Sequence, residues 1–222
     1  MTESEGKLLE QLHDVLKPAI VRSWNSAIEQ HPGEYFYGYV LFTSPLLEYI
    51  VPSFSSEESL NRVATESSYN YLRWSPDEWE YYLENESFFD SVQKVILDLD
   101  QETNYQDTEA RNRRWNVIIK TLIELDSEEL FGTGEIRNKL TVNIMWGDQD
   151  AAAHTESARQ LNPRESYLQF ARYQLPWLQN SYLEIEANQS RYSPEAFVRV
   201  KNAVNMVQED LRNNGLDSTK LR

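Results

Sequence analysis

The sequence predicts an α+β protein, a single helix-rich domain around a small, mainly antiparallel sheet. Three observations lead there. Tyr35 to Phe42 (YFYGYVLF) is dense in aromatic and β-branched residues and has no helical period, so it reads as a strand. Lys139 to Trp146 (KLTVNIMW) alternates, putting Leu140, Val142, Ile144 and Trp146 on one face, the period of a half-buried strand. Much of the remaining chain repeats its apolar residues at steps of three and four, the period of amphipathic helices.

Leu8, Leu12, Val15 and Ala19 form the stripe of a first helix over residues 4–30, which Pro18 is expected to kink or break. The turn residues His31, Pro32 and Gly33 lead into the aromatic strand. After Ser44-Pro45, Leu47 to Val51 reads as a second strand, ended by Pro52 and paired antiparallel with its neighbour. Tyr69 to Trp74 is a further strand candidate.

Helix starts are signalled where a side-chain oxygen can accept from an orphan N–H and an acid three residues on can reach back. Ser55 with Glu58, Ser75 with Glu78, and Asn162-Pro163 with Glu165 fit, and Ser193-Pro194 repeats the cap and proline without the acid. Phe88, Val92, Val95 and Leu99 mark one core-facing helix, and Trp115, Ile118, Leu122 and Leu125 mark another. Phe197, Val200, Val204, Val207 and Leu211 run along a last helix over about 194–214, stopped by Asn214-Gly215. The acidic stretch Asp98 to Glu109 reads as a loop. With no internal repeat or low-complexity linker, one domain spans residues 1–222.

Composition limits function. Lys and Arg number 21 against 36 Asp and Glu, a net charge of 21 − 36 = −15, which repels nucleic acid and anionic membrane and attracts basic partners. Six Trp, thirteen Tyr and eight Phe supply a substantial core, so the acidity is not that of a disordered polyelectrolyte. Cysteine is absent, which excludes disulfides, thiolate metal sites and a Cys nucleophile. His13, His31 and His154 are too scattered to suggest a metal cluster. The first residues lack the basic and apolar regions of a secretory signal, and no apolar run approaches the ~18 residues of a membrane helix, so a cytoplasmic location is expected.

The aromatic strand, the IVPSFSSEESL run from Ile50 to Leu60, the LRWSPDEW run from Leu72 to Trp79, and the strand followed by Asn-Pro from Val142 to Pro163 resemble a bacterial family catalogued as domain of unknown function 4303. The resemblance covers residues 35–175, and RWSPxxW is its most specific part. It implies an intracellular bacterial α+β protein and supplies no activity or catalytic residue. Ser55-Ser56 departs from the Asn-Thr of many relatives, but Ser caps a helix about as well.

Arg73, Trp74, Ser75, Asp77 and Trp79 form the foremost candidate site. If a strand meets a helix there, Arg73 can hold a carboxylate or phosphate while a tryptophan stacks. The competing account is a helix cap with two core tryptophans, and it is preferred because Ser-Pro-x-Glu is what capping alone selects. Asp148 and Asp150 (GDQD) follow a strand but lack the further oxygen ligands and spacing of a calcium loop. Asp150 is better read as the cap of the helix from Ala151, with His154 at the surface or in a second layer. No metal and no cofactor is expected. No Gly-x-Ser-x-Gly elbow or phosphate-binding glycine loop is present. Asp77, Glu78, Glu80, Glu84 and Glu86 could supply an acid and base pair, although 36 acids make such coincidences common. Arg111, Arg113 and Arg114 are expected to pair with acids of the same chain.

A non-catalytic binding protein for a basic protein partner, an immunity protein against a toxin being one form of it, is therefore preferred to an enzyme of unknown reaction using Arg73 to Trp79. The expected contact patch joins Asp77 to Asp90 with Asp98 to Glu109, with Glu80, Glu84, Glu86 and Tyr105 as contact candidates. Trp79, Tyr81, Tyr82 and Phe88 are interleaved there, and several of them must be core.

Overall fold

The aromatic run folds as strand β1 (Phe36–Thr43), buried along nearly its whole length. The computed structural model describes residues 1–103, 107–147 and 150–216. Strand β2 (Ile50–Ser56) pairs antiparallel with β1, and the two-residue β3 (Tyr81–Tyr82) pairs antiparallel with β2. Strand β4 (Thr141–Met145) lies parallel to β1, from Gly38 opposite Thr141 to Phe42 opposite Met145. The order β3-β2-β1-β4 makes the sheet mixed rather than purely antiparallel. The chain between the parallel strands β1 and β4 is long and largely helical, as parallel pairing requires.

The second strand begins later than its apolar run suggests. Leu47 has φ 58°, a left-handed turn conformation that a strand cannot contain, and pairing starts only at Ile50. Pro52 sits inside β2 instead of ending it. Its missing N–H is tolerated because β3 covers only Ser53 and Phe54 on the far side.

One face of the sheet is covered by α1 (Glu3–Gln30), α4 (Asp90–Glu102) and α5 (Thr108–Ser127). Leu12, Leu16, Ile20, Trp24, Val95, Ile118 and Leu122 meet Tyr39, Leu41, Phe54, Val142 and Ile144 there. Helix α1 runs on through Pro18, which lies on its exposed side. On the opposite face, α2 (Glu57–Val63) and α3 (Tyr69–Arg73) follow β2. The short α6 (Gly134–Lys139) leads into β4, and α7 (Ala151–Leu161), α8 (Arg164–Ala187) and α9 (Pro194–Asn213) complete the layer. Tyr37, Val40, Phe42 and Met145 pack there against Trp74, Trp79, Phe170, Leu175, Leu178 and Val207.

Tyr37 and Val40 share a face although an odd spacing should oppose them. A bulge between Phe36 and Gly38 corrects the parity. It also brings the sheet against Trp79, where a Cβ on Gly38 would stand 2.6 Å from the ring.

Five local expectations are corrected. Tyr69 to Trp74 is helical, not extended, for Tyr69–Arg73 forms α3. The cap of α2 is Ser56 rather than Ser55: Ser56 Oγ accepts from Ser59 N at 2.9 Å, Ser59 Oγ accepts from Ser56 N at 3.0 Å, and Glu58 instead accepts from Tyr35 N at 2.8 Å. No helix begins at Ser75, whose hydroxyl donates to Tyr71 O at 2.8 Å and closes α3. Asn162 does not cap α8, since its amide is spent on β4: Oδ1 accepts from Val142 N and Nδ2 donates to Val142 O, both at 2.7 Å. Ser193 does cap α9, accepting from Ala196 N at 3.2 Å. The acidic loop is shorter than Asp98 to Glu109, because α4 runs to Glu102 and α5 begins at Thr108. Tyr105 lies outside the described residues.

Gly38→Ala should destabilise the protein by about 1–3 kcal/mol, the usual cost of overpacking a rigid core, measured by urea unfolding. Ser56→Ala should cost about 1–2 kcal/mol through the lost cap. Ser75→Ala should stay within about 0.5 kcal/mol, and a larger loss there than at Ser56 would contradict this placement of the cap.

Candidate functional site

Because β1 and β4 are parallel, both end on the same side of the sheet, the side where such folds leave a crevice. Beyond β4 the chain passes Trp146 and Gly147 and enters α7 at Asp150, whose carboxylate caps the helix by accepting from Ala153 N at 3.1 Å. A cleft opens beside this end of β4. Asn70, Tyr71, Trp74, Ser75 and Asp77 form one wall, from α3 and the turn after it. Trp146, Gly147 and His154 form the floor, and Tyr173, Gln174 and Trp177 of α8 form the other wall. The cavity measures about 70 Å³, room for a few waters or one small polar group rather than a drug-sized ligand.

Of the five residues singled out in the sequence, Trp74, Ser75 and Asp77 line this cleft and Arg73 and Trp79 do not. Arg73 is held on both terminal nitrogens by Glu57, at 2.8 and 2.6 Å, with its guanidinium carbon 4.0 Å from the centre of the Tyr37 ring. It is thus committed to an internal carboxylate. Trp79 donates from Nε1 to Leu72 O at 2.9 Å and packs under Gly38. The junction imagined between a strand and a helix is a turn leaving α3, so no helix N-terminus points at a ligand there.

His154 is buried, not superficial, because α7 turns this face to β4. Asn143 donates to the His154 carbonyl at 3.0 Å, and Asn143 Oδ1 accepts from Ser157 Oγ at 2.5 Å. The ring accepts the Trp146 N–H at Nε2, 3.2 Å away, and lies edge-on to the Trp146 indole at 4.6 Å. Burial pushes its pKa down to about 4, with Arg199 adding to the fall and Asp150 opposing it. At neutral pH the ring is uncharged, and with Nε2 accepting its proton belongs on Nδ1.

Trp74, Gln174 and Asp77 are among the polar groups of the cleft left unspent by the described residues. Trp74 is 8% exposed and its Nε1–H has no acceptor among the described residues. Gln174 is 7% exposed, and its amide makes no hydrogen bond among them. Asp77 is exposed and has no basic partner among them, and its Oδ2 stands 3.8 Å from where a Cβ of Gly147 would lie.

Elsewhere, Trp79 and Tyr81 are core, while Phe88 is partly buried beneath the Arg22 guanidinium at 4.3 Å. Glu80 pairs with Arg62 at 2.9 Å and Glu84 with His31 at 2.8 Å, while Glu86 is exposed. Arg113 pairs with Glu5 and Arg114 with Asp100, as the sequence suggested. No group of three or more His, Asp or Glu able to hold a metal occurs among the described residues, and Asp148 lies outside them. No helix among them is long and apolar enough to cross a membrane.

Residues from α7 and α8 completed the cleft without a local signal. Gln174 and Trp177 stand three apart, one helical step, but only the fold brings that step opposite Asp77.

His154 should make stability depend on pH. Its folded pKa of about 4 lies below the ordinary 6.5, so the unfolded chain takes up a proton first as pH falls. The stability is full above pH 6.5 and is lost on acidification down to about pH 4, by on the order of 3 kcal/mol. His154→Gln keeps an acceptor for Trp146 N–H but cannot titrate. Urea unfolding followed across this window should show a flatter profile for the variant.

The model of the family described as domain of unknown function (DUF4303) matches residues 16–163. No curated protein and no solved structure matches the chain. The match spans well over half of the 222 residues, from within α1 to the start of α8. The chain is a member of this family of unknown function.

Proposed function

We propose that this chain is a non-catalytic binding protein of the bacterial cytoplasm that captures a basic protein partner, in the manner of an immunity protein against a toxin. The supporting observation is the net charge of −15 together with the way basic side chains are used. Lys17, Arg62, Arg73, Arg113, Arg114 and Arg137 are each bound to acids of the same chain. Asp77, Glu78, Glu86, Asp90 and Asp98 are exposed with no basic partner among the described residues, from the turn after α3 along α4. Such a surface draws in a basic protein at long range and speeds association. Enzymatic use of Arg73 to Trp79 is the weaker reading, because Arg73 is occupied by Glu57 and only part of that segment reaches the cleft.

The experiment is affinity capture from the native host, followed by association kinetics of the purified pair at rising salt. The on-rate should fall steeply between low salt and 0.15 M, where screening acts beyond about 8 Å. The combined variant Glu78→Gln, Glu86→Gln and Asp90→Asn should slow association several-fold at low salt. A partner bound at a salt-independent rate by both forms would refute the steering mechanism.

A further inference from the structure

We propose that the cleft at the end of β4 takes the guanidinium group of an arginine presented by a peptide or protein. The site deepens the partner reading above, on which it rests only for the arginine coming from a protein.

Charge sets the sign of the ligand. Among the described residues, the cleft is lined by one carboxylate, Asp77, and by no Lys or Arg. His154 in its floor is uncharged at neutral pH. An anion would find no counter-charge there, whereas a cation meets Asp77 beside the aromatic side chains of Tyr71, Trp146, Tyr173 and Trp177, whose electron-rich rings attract cations.

Shape and hydrogen bonding select among cations. About 70 Å³ admits a head group and excludes a bulky ligand. A guanidinium is flat, weakly hydrated and carries five N–H donors in one plane, so it can lie on an indole while donating sideways to Asp77 and to the Gln174 side-chain carbonyl. An ammonium is more strongly hydrated and has no face to stack. The fold already seats one arginine by the same chemistry, for Arg73 lies over the Tyr37 ring while Glu57 takes both terminal nitrogens. The cleft offers the same pair of elements, aromatic faces and a carboxylate, and that carboxylate is unpaired among the described residues.

The test uses the full chain labelled with nitrogen-15 and follows the indole N–H signals of its six tryptophans. The signal of Trp74 is assigned from the Trp74→Phe spectrum. The probe is N-acetyl-arginine amide, compared with N-acetyl-citrulline amide, which has nearly the same shape but no charge, and with N-acetyl-lysine amide. The arginine probe should shift the Trp74 signal saturably, and the citrulline probe should not. The lysine probe should bind more weakly than arginine. Asp77→Asn should weaken arginine binding about fivefold, as expected for loss of an exposed charge pair. Glu78→Gln, which removes a neighbouring charge outside the cleft, should leave it within about twofold. Trp177→Ala should weaken binding while leaving the spectrum folded, since this residue is 41% exposed.

Equal shifts with citrulline, stronger binding of lysine, or no effect of Asp77→Asn would overturn the proposal. Because the probes need no partner, the two readings fail separately. Capture of a partner unaffected by Asp77→Asn, with no saturable arginine shift, would remove the cleft alone. A saturable shift without salt-dependent capture would remove the steering reading alone.

Discussion

Strand β1 is buried on both faces, and the rest of the molecule is arranged to satisfy that burial. A strand whose side chains are apolar in both directions needs an apolar layer on each side. The layer of α1, α4 and α5 covers Tyr39 and Leu41, and the layer of α7, α8 and α9 with the turn around Trp79 covers Tyr37, Val40 and Phe42. Gly38 is where the constraint is tightest, because there the sheet itself must yield room for the Trp79 ring. The second layer exists to complete this burial, and the cleft is the gap left where its helices meet the carboxyl end of the sheet.

Strand β4 meets a different difficulty, being an open edge inside a layered protein. Its outward peptide groups would be left unpaired or would recruit a strand from another molecule. Asn162 answers for Val142 on both N–H and C=O, and Asn143 Oδ1 accepts from Ile144 N at 2.9 Å. Arg137, buried and ion-paired to Asp126, donates to the carbonyls of Leu140 and Leu161. These bonds fix the start of β4 to the end of α7. The same ties set the direction in which α8 departs, and so the spacing of the cleft's two walls.

Elements whose period runs the length of the element were legible in the sequence. β4, α4, α5 and α9 emerge from spacing, because their apolar residues face one or two fixed layers, and β1 from its density of aromatic and β-branched residues. Local cap signals were ambiguous for a physical reason. Ser75 and Asn162 have the chemistry of a cap, but each finds a better use, Ser75 in closing α3 and Asn162 in closing a sheet edge. The site was half legible for the same kind of reason. Trp74, Ser75 and Asp77 sit together in sequence and in the cleft, whereas Arg73 and Trp79, their neighbours, turn inward to Glu57 and Gly38. The burial of His154 was not readable, since it depends on which face of α7 the polar group of Asn143 recruits.

The unspent indole of Trp74 follows from packing rather than from loose construction. The ring lies edge-on against Phe170 of α8 at 4.9 Å and against Tyr37 of β1 at 5.7 Å, with planes nearly perpendicular in both cases. Contacts on two sides hold its orientation, so it cannot turn its N–H toward bulk water without opening the core. A buried donor left in this state costs about 1–3 kcal/mol, which the surrounding aromatic packing must offset. The family match ends at residue 163, before the α8 residues that hold the ring and face Asp77. Tyr173, Gln174 and Trp177 are carried by a helix tied to its neighbours at Asp210, which accepts from both Tyr167 Oη at 2.9 Å and Arg159 Nε at 3.2 Å. The carboxylate wall thus lies within the matched segment and the amide wall beyond it, so a change in how α8 is anchored would alter what the cleft accepts while leaving Asp77 in place.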